Sequence, residues 1–452
     1  MAKKNQIQFA CQACGYLSPK WLGKCPDCQE WNSFQEEEKL KHSHSRQVTN
    51  ILGSQTLSEI ETTQEIRMKT GIEEFDRVVG GGMVEGSLTL IGGEPGIGKS
   101  TLLLEVSGKV AELFPEQKVL YISGEESTAQ VAGRMKRLGM GIENLYILHA
   151  SSWQNILEEI KKIKPILMIL DSIQTTVSHE VASAPGTASQ IREVTYELMN
   201  YAKANKLTCL IIGHITKEGN IAGPKILEHM VDAVVYFEGD QQNQYRLLRV
   251  MKNRFGNSHE VGIFEMHGEG LRQIQNPSQY FLESSLGESY GRALTCVMEG
   301  TRGIFVEVQA LVVENKYGNG RRTTQGIDAN RLSMLVAIIE KYFELPLSYS
   351  DIYLNVVGGI KLQSRDSDLA VIAALLSSYY KHAIGDTCVF LGEVGLTGEV
   401  RAVPFIERRI NEIEKLNYKK LFMPKKQMEK KIGGHLEYQV IRKITDLKEN
   451  LF

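Results

Sequence analysis

Three features predict an α/β protein built in three parts. Two C-x2-C pairs occupy "CQACGYLSPKWLGKCPDC" near the start; a glycine-rich turn, "GGEPGIGKST", joins an apolar strand to a helix; and strand and helix patterns alternate to about Gln275 before a strand-rich tail begins. The expected architecture is a four-cysteine ribbon over residues 1–34, a linker over 35–67, a P-loop domain with a parallel sheet over 68–280, and an α+β domain over 285–452.

Length agrees, since 452 residues at roughly 150 per domain make two or three domains. Apolar residues at 42% and charged residues at 23% describe a globular chain. No stretch approaches the ~20 apolar residues of a membrane span, and "MAKKNQIQFACQ" lacks the apolar centre of a secretory signal. A cytoplasmic location without membrane attachment is the expectation. Lysine plus arginine number 52 against 54 acidic residues, so any basic surface for nucleic acid must be local.

Cys11, Cys14, Cys25 and Cys28 have the spacing that brings four thiolates to one tetrahedral site. Soft sulfur ligands in a closed shell suit a structural Zn2+ ion; paired disulfides suit a reducing compartment poorly. A segment this small has little core, so the metal is expected to fold it, with Trp21 and Trp31 covering the site. "QEEEKLKHSHSRQ" offers almost nothing to bury and reads as linker.

In the next part, Gly93, Glu94, Pro95, Gly96, Ile97, Gly98, Lys99, Ser100 and Thr101 form a complete G-x4-G-K-[ST] loop. Its backbone N–H groups and the following helix N-terminus suit phosphates, Lys99 reaches the β- and γ-phosphates of ATP, and Ser100 suits Mg2+. Acidic residues close two later strands: "KVLYISGEES" supplies Glu125 and Glu126, and "PILMILDSIQT" supplies Asp171. Such strand ends face the ligand crevice of α/β sheets. Asp171 suits a hold on Mg2+, and Glu125 the orientation of an attacking water. "LTCLIIGH" brings His214 to the same edge, as a γ-phosphate sensor or as a polar strand cap.

The order of these segments resembles the core of RecA-type recombinases and hexameric helicases. With the four-cysteine motif ahead and "KNRFG" behind, the whole chain resembles the RadA (Sms) family of bacterial DNA repair proteins. That resemblance implies a DNA-dependent ATPase motor forming a hexameric ring. It would load on single strands within branched recombination intermediates and drive branch migration with RecA recombinase as partner. It also implies that two long loops face the ring's channel, making Arg192, Lys217 and Lys225 either DNA-phosphate contacts or solvated cations. For Lys252, Asn253, Arg254, Phe255 and Gly256 three readings stand: a solvated turn, a DNA contact, or cations that reach the γ-phosphate of a neighbouring subunit.

The tail, with "SDLAVIAALLSSYY" as an apolar helix, resembles the proteolytic domain of Lon proteases. The alignment places Asp366 where that family's serine nucleophile belongs, Ser367 one residue late, and Glu407 at the lysine base, so a peptidase is not expected. Arg408 and Arg409 then belong to a solvated helix face, a duplex-DNA surface or a ring interface. Two further function classes remain in view, an ATP-dependent protease and a signalling ATPase of the KaiC sort.

Overall fold

The computed structural model describes residues 7–11, 16–27, 29–38, 66–214, 226–239, 245–258, 260–275, 289–315, 320–357, 360–362, 364–430 and 434–451. Cys14, Cys28, Lys217, Lys225 and most of the expected linker lie outside these residues. The chain divides into two compact units, Met1–Gln273 and Ile274–Phe452.

In the first unit, β1 (Ile7–Cys11), β2 (Leu17–Ser18) and β3 (Phe34–Glu38) form an antiparallel ribbon in the order β2-β1-β3. A short antiparallel pair, β4 (Arg67–Met68) and β5 (Met83–Val84), brackets helix α1 (Glu73–Val78). The main sheet follows. Its strands are β6 (Leu88–Gly93), β7 (Val119–Ser123), β8 (Leu145–His149), β9 (Leu167–Asp171), β10 (Thr208–His214), β11 (Ala233–Gly239), β12 (Tyr245–Asn253), β13 (Val261–His267) and β14 (Gly270–Gln273). They lie in the order β14-β13-β12-β11-β6-β10-β9-β7-β8.

Strands β6 to β11 run parallel, as expected, and are apolar on both faces. Alternate residues divide between two cores. Ile91, Val119, Tyr121 and Ile169 pack with α1, α2 (Lys99–Leu113) and α3 (Thr128–Arg137). Leu90, Leu120, Ile122 and Leu170 pack with α4 (Trp153–Ile163), α5 (Ala188–Asn205) and α6 (Ile226–Met230). A reciprocal Ser127–Gln130 capping box starts α3 and satisfies donors that its first turn leaves open. The sheet departs from the all-parallel expectation at one end, where β12, β13 and β14 are antiparallel. The segment between Gly239 and Tyr245 is too short for a parallel crossover, which needs a dozen or more residues.

The second unit is an α+β domain. Strands β15 (Arg292–Glu299), β16 (Arg302–Glu314), β17 (Arg322–Gln325), β18 (Ser350–Val356), β19 (Cys388–Phe390), β22 (Lys420–Pro424) and β23 (Glu437–Ile441) form a sheet in the order β17-β18-β16-β15-β19-β22-β23. A small hairpin, β20 (Glu393–Val394) and β21 (Val400–Arg401), stands apart from it. Helix α7 (Ala329–Phe343) is amphipathic, whereas α8 (Asp368–Tyr380) is buried along nearly its whole length, which its unbroken apolar run requires. Helix α9 (Ile406–Lys415) turns Ile406, Ile410 and Ile413 into a core with Phe305, Val389 and Leu421. Among the described residues, no helix is long and apolar enough to cross a membrane.

Candidate active site

The C-terminal ends of the parallel strands meet at one edge. Gly93 pairs with His214, and Ser123 pairs with Asp171, so the P-loop, the acidic segment after β7, Asp171 and His214 converge there. Gly98 adopts a left-handed conformation (φ 111°) as the N-cap of α2, and a methyl there would come within 2.6 Å of Met266 Cε. Only glycine turns the chain into the helix at this point. No side chain caps α2, so its N-terminus is free to meet an anion. Glu94, Pro95 and Gly96 are exposed at the tip, Ile97 is buried beneath it, and Ser100 and Thr101 are half-buried on the first turn.

Lys99 is 4% exposed and donates to the carbonyls of Gly93 and Glu94, both at 2.8 Å. Burial pulls its ammonium down to about 8, against the opposing pull of Asp171, Glu125 and Glu94. A buried cation whose hydrogen bonds, among the described residues, go to two carbonyls of its own loop suits a polyanionic ligand. Tyr121 donates its hydroxyl to Asp171 at 2.7 Å; burial, reinforced by that carboxylate, raises Tyr121 well above its ordinary value and keeps it a donor. Ser172 donates to Glu125 at 3.0 Å, and His214 Nε2 lies 3.4 Å from the same oxygen. His214 Nδ1 is buried without a hydrogen-bond partner among the described residues. Glu126 is held by Arg134, which leaves Glu125 as the carboxylate directed at the crevice. Sequence reasoning missed Tyr121, Ser172 and Arg246, whose Nε donates to the Ile97 carbonyl at 3.4 Å. Tyr121 and Ser172 adjoin motif residues, but Arg246 had no local signal.

The "KNRFG" turn sits at the opposite edge of the same sheet. Because β12 is antiparallel to β11, Arg246 stands by the P-loop while Asn253 pairs with Ala233 at the far end. One extra residue bulges β12 at the Val234/Val235 step, so that Val234 faces Lys252 and Val235 faces Val250. Lys252 Nζ donates to the carbonyls of Glu228 (2.7 Å), His229 (3.4 Å) and Val231 (2.7 Å), capping α6. Burial, then the neighbouring Arg254, lower its affinity for a proton. Arg254 pairs with the buried Asp232 at 3.3 Å, and Asp232 also accepts from the Leu88 N–H at 3.1 Å. Arg67 donates to the carbonyls of Phe255 (2.5 Å) and Gly80 (2.6 Å). A methyl at Gly256 would stand 3.1 Å from Gly80 Cα. The glycine therefore lets two turns meet, which accounts for its place in the motif.

The N-terminal ribbon fits a metal. Cys11 and Cys25 are buried, and each N–H donates at 2.9 Å to the carbonyl five residues ahead, of Tyr16 and Glu30 respectively. Two thiols are thus presented by equivalent knuckles, with Phe34 completing their small core. Phe9 and Leu22 pack on Cys11, Cys25 and Phe34, with Tyr16 edge-on to Phe34, while Trp21 and Trp31, expected over the site, are exposed. Arg192 is half-buried near the start of α5. The loop before it is held by Gln190 Nε2, which donates to the carbonyls of Ser178, Val181 and Ser183.

A family model described as an AAA domain matches residues 54–220, and one described as a rubredoxin metal binding domain matches residues 9–36. The DNA repair protein RadA of Bacillus subtilis is 48% identical over 93% of both chains. Those of Streptococcus pyogenes serotype M6 and Halalkalibacterium halodurans are 49% and 46% identical, over 95% and 96% of this chain and 94% of each relative. The chain belongs to the RadA family of DNA repair proteins. Among solved structures, a KaiC-like protein of Pyrococcus horikoshii is 21% identical, with a TM-score of 0.39, over 46% of this chain and 99% of that one.

In the tail of this RadA family member, the residue facing Asp366 is Arg409, not Glu407. Arg409 is fully buried; its Nη2 reaches Asp366 Oδ2, its Nη1 the Cys296 carbonyl, and its Nε the Pro404 carbonyl at 3.1 Å. Glu407 lies two residues earlier on α9 and is exposed, as about 100° of rotation per residue requires. Arg409 is therefore removed from the DNA-contact candidates, since its donors are consumed inside the domain. Arg408 stays on the surface, over the Phe405 ring at 5.5 Å. Ser364 and Ser367 both donate to Asp366. These groups form a closed ion pair rather than a serine–lysine dyad.

Proposed function

We propose that the chain is a DNA-dependent ATPase that works as a ring-shaped motor on recombination intermediates. It would load on single-stranded DNA within branched substrates and extend strand exchange beside RecA recombinase, as a hexamer in the cytoplasm. The observation that carries this reading is the opposition of two sites on one sheet, with the P-loop at one edge and Lys252 and Arg254 at the other. Five residue steps along β6 separate the edges, roughly 16 Å at 3.3 Å per step. The "KNRFG" cations cannot serve their own nucleotide, but in a ring they would face the next subunit's.

Within each site, Ser100 and Asp171 would hold Mg2+, which supplies charge neutralisation at the phosphates. Lys99 would exchange its loop carbonyls for phosphate oxygens, and Glu125 would orient the attacking water with His214 beside it. Lys252 would leave the carbonyls of α6 for the neighbour's γ-phosphate. Cys11, Cys14, Cys25 and Cys28 would hold Zn2+ in the ribbon.

Single-stranded DNA is expected to raise ATP turnover severalfold; equal rates with and without DNA would end the motor reading. The assignment in trans has its own test. Lys99→Ala and Lys252→Ala chains, each inactive alone, should regain turnover when mixed, because some interfaces then combine an intact P-loop with an intact finger. No recovery in rings shown to contain both chains would return Lys252 to a DNA-contact role.

A further inference from the structure

Trp21 and Trp31 are 52% and 67% exposed, in a ribbon whose buried core is Cys11, Cys25 and Phe34. Large aromatic rings are seldom left in water on so small a domain without a partner. The two indoles are also placed together. A methyl on Gly23 would stand 3.8 Å from Cη2 and Cζ3 of Trp21 and 4.0 Å from Cζ3 of Trp31, so both six-membered rings converge above that glycine. The second knuckle fixes them there: Lys24 bridges Trp31 in an antiparallel pair, and Asn32 donates its N–H to the Gly23 carbonyl at 2.8 Å. Lys24 Nζ lies 5.6 Å from the Trp31 ring centroid, and Lys20, next to Trp21, is exposed. Among the described residues, no carboxylate pairs with either ammonium.

We propose that Trp21 and Trp31 form a stacking platform for unpaired bases of single-stranded DNA, with Lys20 and Lys24 on the flanking phosphates. The proposal rests on the DNA-dependent reading above and adds to it a contact outside the P-loop domain. Every base offers a π face, so such a platform is indifferent to sequence, while paired bases are already stacked and enter it poorly. The two ammonium groups favour a polyanion over an apolar protein surface, and phosphate contacts make binding salt-sensitive.

The chain reports on this site by itself. It has three tryptophans, and the third, Trp153, is fully buried with its Nε1 donating to Glu197 at 2.7 Å. Titrating the full-length protein with oligo(dT) should quench the emission of Trp21 and Trp31, and equimolar duplex should quench it far less. Trp21→Ala and Trp31→Ala should each weaken oligo(dT) binding by about tenfold or more by anisotropy, while Trp21→Phe/Trp31→Phe recovers most of the loss. Unchanged zinc content separates this from an unfolded ribbon. Unmoved emission at saturating oligo(dT), equal quenching by duplex, an affinity within about twofold of the parent in the double alanine variant, or an emission change given only by an added protein would each overturn the platform. If DNA still stimulates ATP turnover under any of those outcomes, the platform alone fails; if the chain neither binds oligo(dT) nor responds to it, the motor reading falls with it.

Discussion

In Lys99→Ala, ATP turnover falls by at least about a hundredfold, the usual size of an effect when a preorganised charge is removed from a phosphoryl-transfer site. The carbonyls of Gly93, in a buried setting, and of Glu94, in a part-buried one, lose their donor in this variant, so a thermal melt alongside the assay separates lost chemistry from lost fold. The same lysine imposes a pH dependence on the parent chain. Burial holds its ammonium at about 8, below its ordinary value, so the folded chain by itself is more stable with the amine neutral. That contribution to stability rises as pH climbs from about 8 towards the ordinary lysine value near 10.4.

A bound triphosphate reverses the preference, since its oxygens stabilise the charged form. Above pH 8 binding must then take up a proton, and nucleotide affinity should fall by up to about tenfold per pH unit while staying level below 8. Calorimetry in two buffers of different ionisation enthalpy measures that proton directly. Affinity that stays flat from pH 7 to 10 would mean that Lys99 keeps its loop carbonyls when nucleotide binds.

Arg409→Ala is the second large effect. Its guanidinium is wholly buried and meets Asp366 and the carbonyls of Cys296 and Pro404. Removing it strands the Asp366 carboxylate in the interior, at a cost of about 3–5 kcal/mol, enough to unfold the second unit first in a denaturant series. Asp366→Ala should cost about as much, because it strands the guanidinium. The double variant should be less damaging than the two losses added together, by 1 kcal/mol or more, since neither charge then lacks a counterpart. Simple additivity would show that the pair does not act as one unit.

What the sequence made legible was local. The P-loop is one uninterrupted segment, so its spacing alone located the strand end, the turn and the first helical residues. Equivalent knuckle spacing likewise exposed the metal-binding ribbon. The misses were long-range. Asp366 and Arg409 are 43 residues apart, and Tyr121 and Asp171 are 50 apart; pairing them needs the packing of whole elements. Glu407 was chosen by counting along the chain, whereas helix phase chose Arg409. The exposure of Trp21 and Trp31 was illegible for another reason, since an aromatic beside a metal knuckle turns inward or faces water according to backbone turns that composition does not encode. The position of "KNRFG" depended on the direction of β12, which the short connection from β11 decides.

The bulge in β12 makes that strand a rod with a phase slip. Arg246 at its start touches the P-loop of its own subunit, and Lys252 at its end lies just past the extra residue. Side chains alternate along a regular strand, so Val250 and Lys252 would share one face of it; the extra residue sets them opposite the adjacent Val235 and Val234, and so on opposite faces. Met251 is the residue that has no opposite number in β11. Its deletion would keep Lys252 opposite Val234 while removing the slack of the extra residue without altering a single charge, and so separates how far the cation can reach from whether it is there.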